Sequence, residues 1–95
     1  SFRMMKLYDT FQEDCLLAIR KIKEAKTTED RIKASLELAK LKVDYYEQHA
    51  NADGIKQNKE FYASQLKNAL WSYQGVLDEA YDAGICVWGL TYAAD

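Results

Sequence analysis

Apolar side chains recur at alternating intervals of four and three residues through Met4, Tyr8, Phe11, Cys15, Ala18, Ile22 and Ala25. At about 100° per residue that spacing keeps all seven on one helical stripe. Met5, Leu16 and Ile19 on its flank widen the apolar arc to about half the circumference, broader than a coiled-coil seam. Lys21, Lys23 and Lys26 close the segment, where cations suit the negative end of the helix dipole. Thr27 with Asp30 three residues on fits a capping box that opens the next helix. The pattern predicts a helix over 4–26, a tight turn, and a second helix over 28–50.

The second segment is apolar on two sides. Ile32, Leu36, Ala39, Val43, Tyr46 and Ala50 form one stripe, and Ala34, Leu38, Leu41 and Tyr45 form another about 150° around the cylinder. A helix in that state needs two covers: either both neighbouring helices, or one neighbour and a second copy of the chain. After a turn at Asn51 to Gly54, the spacing resumes at Tyr62, Leu66, Ala69, Tyr73, Val76 and Ala80, predicting a third helix over 54–83. Gly84 supplies a stop, and residues 84–95 are expected to fold back across the bundle as an irregular or short helical tail. The expected fold is all-α, a single domain over 1–95 built as an antiparallel three-helix bundle with that tail.

Composition agrees. The chain has no proline and only four glycines, so nothing interrupts the long helical stretches. Two cysteines, Cys15 and Cys86, and one histidine, His49, make neither a disulfide framework nor a zinc set. Cys15 belongs to the core stripe, and His49 reads as a helix-end residue without a carboxylate, cysteine or second histidine at helical spacing. No segment reads as a secretory leader, and the longest uncharged run, Ala83 to Ala94, is well short of the roughly 20 apolar residues that span a bilayer. A reduced, cytoplasmic protein with no membrane partner is expected. Ser1 to Arg3, ahead of paired Met4 and Met5, are set aside from functional argument, with a start expected at one of the methionines.

Charge is what changes the picture. All 13 basic residues lie upstream of Asn68, among 11 acids, so the last 28 residues carry a formal −4 and the rest +2. That last third holds Trp71, Tyr73, Tyr81, Trp88 and Tyr92 with Asp78, Glu79, Asp82 and Asp95. An aromatic, anionic surface suits docking on a basic protein: the rings supply contact energy and the carboxylates steer the encounter. Trp71 lies on the polar side of the third helix with Ser64, Asn68, Asp78 and Asp82, where either a partner or the returning tail must cover it. The expected partner-binding residues are Trp71, Asp78, Tyr81, Asp82 and Trp88. Leu38, Leu41 and Tyr45 on the second stripe are the expected homodimer interface, the alternative being cover by the first or third helix.

No phosphate-binding glycine loop, nucleophile–base set, metal-spaced carboxylates or dinucleotide fingerprint is present, so no catalytic, cofactor-binding or metal site is expected. Arg20, Lys21, Lys23, Lys26, Arg31 and Lys33 cluster around the first turn, but Glu24, Glu29 and Asp30 dilute them, and nucleic acid is not the expected partner. The segment Gly84-Ile85-Cys86-Val87-Trp88-Gly89 resembles the end of a small all-helical anti-CRISPR protein, one of the phage-encoded inhibitors of large CRISPR effectors. That resemblance implies a dimeric inhibitor whose C-terminal end occludes a functional surface of its partner. The expectation is therefore a non-enzymatic protein-binding module, a small inhibitor that occludes a surface of a larger protein. A self-assembling structural subunit is the alternative, and an RNA-binding helical hairpin a third.

Overall fold

The computed structural model describes residues 2–50 and 58–87, with side chains from 7 onward within those ranges. Three helices follow in order: α1 Phe2–Glu24, α2 Thr28–Ala50 and α3 Lys59–Asp82. They form the antiparallel bundle that the spacing predicts. Contacting partners advance along one helix as they retreat along the next. Phe11 meets Tyr45 and Lys21 meets Glu37 across α1 and α2, while Tyr62 meets Tyr46 and Glu79 meets Arg31 across α3 and α2.

The first link is short because its caps are local. The Ala25 amide bonds the Ile22 carbonyl, tightening the end of α1, and the Asp30 amide donates to Thr27 Oγ1 at 3.0 Å to open α2. The end of α3 is a Schellman motif. Gly84 takes φ +70°, its amide bonds the Tyr81 carbonyl, and the Ile85 amide bonds the Ala80 carbonyl at 2.9 Å. This reverses the chain and sends Ile85 and Val87 back onto Ile32, Leu36 and Ala80, with Tyr73, Val76 and Leu77 alongside. The tail thus does fold back across the bundle over residues 85–87. The turn and cap expected at 51–54 and the tail from Trp88 lie outside the described residues; the described α3 starts at Lys59, after Asn58.

α2 is the central helix. It packs against both α1 and α3, which barely meet each other. Both of its apolar sides are accordingly covered within the chain. Among the described residues the fully buried positions are mostly alanines: Ala18, Ala34, Ala39, Ala69 and Ala80, with Ile32 and Leu36 as the larger members. Small side chains at the seams permit close helix approach, and the rings spread around them. Leu16, expected on the buried flank of α1, is 60 % exposed instead. Because α3 sits across α2 rather than against α1, α1 has one helix to pack on and its apolar flank exceeds that contact.

Candidate functional site

The outer face of α3 collects most of the residues that the sequence marks for partner binding. Trp71 is 71 % exposed and Tyr81 84 % exposed, and Asp78 and Asp82 are exposed beside them. At helical spacing Lys67, Trp71, Asp78 and Asp82 share one ridge. Leu70, half exposed, lies with Tyr81 on the adjacent ridge, because eleven residues are three nearly whole turns. The 70-to-81 spacing is readable in the sequence, and it adds Leu70 to the face. From Trp71 to Tyr81 the helix rises about 15 Å.

The acids on this face are not equivalent. Gln74 Nε2 donates to Asp78 Oδ1 at 2.9 Å across one turn, fixing that carboxylate. Glu79 pairs with Arg31 of α2, and this bond holds the guanidinium above its ordinary pKa. Glu79 therefore ties α3 to α2 and is withdrawn from the rim. Asp82 stands in the last turn, where α3 carries no basic residue. An anion at the negative end of a helix dipole is unfavourable by about 0.3–1 kcal/mol. Local helix stability does not explain that acid. The returning tail does not cover Trp71 with Ile85, which packs on Ile32, Leu36 and Ala80. Trp88 lies outside the described residues.

Of the residues expected at a dimer interface, Tyr45 turns to α1. Tyr45 stacks on Phe11 of α1 with centroids 3.9 Å apart and planes 7° from parallel, and Leu38 and Leu41 on the same side of α2 are half-buried. That stripe has its cover inside the chain. The pair opens into a nest of rings drawn from α1, α2 and α3: Tyr8, Phe11, Tyr45, Tyr46 and Tyr62 are joined by ring contacts, and His49 touches Tyr45 and Tyr62. His49 stands in the last turn of α2, the helix end expected for it, and is 4 % exposed. Its Nδ1 lies 2.9 Å from the Tyr45 carbonyl oxygen, which only accepts, so Nδ1 is the protonated nitrogen. The spacing signal exists in the sequence, since Tyr45 and His49 are one turn apart, but the wall formed by Tyr62 is not local.

Burial of the Tyr45 and Tyr46 hydroxyls disfavours their anions. Tyr45 is pushed up to about 12, first by desolvation and then by Tyr62, Tyr46 and Tyr8, and Tyr46 moves the same way. Burial raises the Cys15 thiol as well, against the opposing pull of Lys42. A thiol with a raised pKa is a poor nucleophile at neutral pH. Cys15 and Cys86 are both free, the latter exposed. Among the described residues no three His, Cys, Asp or Glu side chains gather to hold a metal ion.

At the α1–α2 turn an open cleft of about 340 Å³ is lined by Lys21, Lys26 and Lys33 and equally by Glu24, Asp30 and Glu37. Lys21 is paired to Glu37 at 3.4 Å and Arg31 to Glu79. Three cations against three acids give no field to gather phosphates. No helix among the described residues is long and apolar enough to cross a membrane. No protein-family model matches the chain, nor does any curated protein or solved structure.

Proposed function

We propose that this chain is a non-enzymatic protein-binding module that occludes a basic surface of a larger protein with the outer face of α3. Trp71 is the anchor, Tyr81 and Leu70 extend the apolar contact, and Asp78 and Asp82 meet cations at the rim. One observation carries the reading: a tryptophan ring 71 % exposed on a helix whose last turn has acids and no cation. Large rings left in water beside carboxylates are the composition of an interface centre and its charged rim, rather than of an ordinary solvated helix end.

The resemblance of residues 84–89 to an anti-CRISPR terminus extends the proposal to a phage-encoded inhibitor of a CRISPR effector. The test is inhibition of CRISPR interference in cells by the wild-type chain and by Trp71→Ala, joined to affinity capture from the source cells with both baits. Loss of a central ring is worth about 2 kcal/mol or more of binding, roughly thirtyfold. A folded Trp71→Ala, Tyr81→Ala double variant that captures the same protein as the wild type, to the same extent, would overturn the assignment of this face. Capture of a protein other than a CRISPR effector, with no effect on interference, would keep the face and remove the anti-CRISPR reading.

A further inference from the structure

We propose that α1 pairs antiparallel with α1 of a second copy, through the stripe Asp9, Glu13, Leu16, Arg20 and Lys23. These five positions step by four, three, four and three residues, so at 100° per residue they lie within about 80° of one another. All five are exposed, on the side of α1 away from its packing against α2. Leu16 is 60 % exposed and Leu17, half exposed, borders it.

The order of charge along the stripe selects the partner. Two acids precede the leucine and two cations follow it. Turned end for end about Leu16, the stripe meets its own complement: Glu13 faces Arg20 of the second copy, Asp9 faces its Lys23, and the two Leu16 side chains meet on the axis. That is an isologous contact, in which one twofold satisfies every pair twice. None of the four charged side chains belongs to the ion pairs Lys21–Glu37 and Arg31–Glu79 inside the chain. A parallel pairing would set Glu13 against Glu13 and Arg20 against Arg20, and is excluded by repulsion. The contact is one helix wide and about 21 Å long from Asp9 to Lys23 at 1.5 Å per residue, so it falls in the class of small interfaces with Kd on the order of tens of micromolar. Its occupation leaves α3 free on the far side of α2, and the dimer displays two docking faces.

Sedimentation equilibrium over a concentration series tests the pairing on the intact chain. The wild type is expected to show a monomer–dimer equilibrium that weakens with salt. Leu16→Glu, at an exposed position, should keep its helical circular dichroism and raise Kd by about tenfold or more. Glu13→Arg and Arg20→Glu should each raise Kd similarly, and the double variant Glu13→Arg, Arg20→Glu should return to within about threefold of wild type. Trp71→Ala should leave the equilibrium unchanged, so a failure here is separable from a failure of the α3 reading. A wild type that stays monomeric at every concentration, a dimer indifferent to Leu16→Glu, or a double variant no better than its parents would each overturn the pairing.

Discussion

The two ends of the α2–α3 pair are closed by different chemistry. At the start of α2, Ile32 and Leu36 meet Ala80, and the chain returning after Gly84 lays Ile85 and Val87 on them. At the finish of α2, Tyr45, Tyr46 and His49 meet Tyr62 of α3 and Phe11 of α1. The aliphatic end is built mainly of alkyl side chains, with Tyr73 alongside, so its stability follows volume, and it depends on a distant segment being turned back by one glycine. The aromatic end draws on all three helices and carries the Tyr45 and Tyr46 hydroxyls, whose ionisation burial opposes, so it follows pH as well as packing. One helix pair is thus held by a volume-sensitive clamp and a proton-sensitive one.

Ile32→Ala is the harshest way to break that comparison. Ile32 is wholly buried, and truncating it leaves a cavity under Ile85 and Val87, costing about 3 kcal/mol. The measurement is a urea midpoint lowered at unchanged slope. A loss below about 1 kcal/mol would mean that the aliphatic end is not a packed centre.

Gly84→Ala should come next, at about 1 kcal/mol. A β-carbon at φ +70° is strained by its own backbone, although the surrounding space is open. Ile85 and Val87 should then protect the α2–α3 end less well, and hydrogen exchange of the Ile85 amide, bonded to the Ala80 carbonyl, should quicken while amides around Tyr45 keep their rates. Equal acceleration at both ends would show that they do not open separately.

What the sequence discloses and what it conceals divide along locality. The periodicities of Phe11, Cys15 and Ala18, of Ile32, Leu36 and Ala39, and of Ala69 and Ala80 are local, and they place three helices and a buried stripe on each, α2 carrying a second one. Thr27 and Gly84 are local as well, and both cap as their types predict. Trp71 and Tyr81 are exposed where helical spacing puts them. The concealed features all depend on where a remote helix goes. Glu79 is withdrawn from the acidic rim by Arg31, 48 residues away. Tyr45 finds its cover on Phe11, a choice that the two-sided pattern of α2 leaves open. His49 counts as polar in any periodicity, and its burial follows from Tyr62 of α3. Leu16 is exposed because α3 flanks α2 and not α1.

The smallest effect at neutral pH belongs to Tyr45→Phe, which keeps the ring stacked on Phe11 and removes only a hydroxyl; the expected change is within about 1 kcal/mol. At alkaline pH the same substitution should become plain. Tyr45 holds its proton up to about 12 in the fold, against about 10 in an unfolded chain, and Tyr46 and Cys15 are raised in the same sense. Between those values the unfolded chain releases protons that the folded one retains, so stability present in full below about pH 10 falls as pH rises toward 12. Circular dichroism followed with tyrosinate absorbance should show the wild type ionising its last tyrosines as it unfolds. In Tyr45→Phe one titrating group is gone from the nest, so the alkaline unfolding midpoint should move upward, while Ile32→Ala should lower stability equally at pH 7 and pH 10. Should tyrosinate form fully in a chain that remains helical, the rings around His49 would be open to water, and the proton-sensitive end would be no different from its aliphatic counterpart.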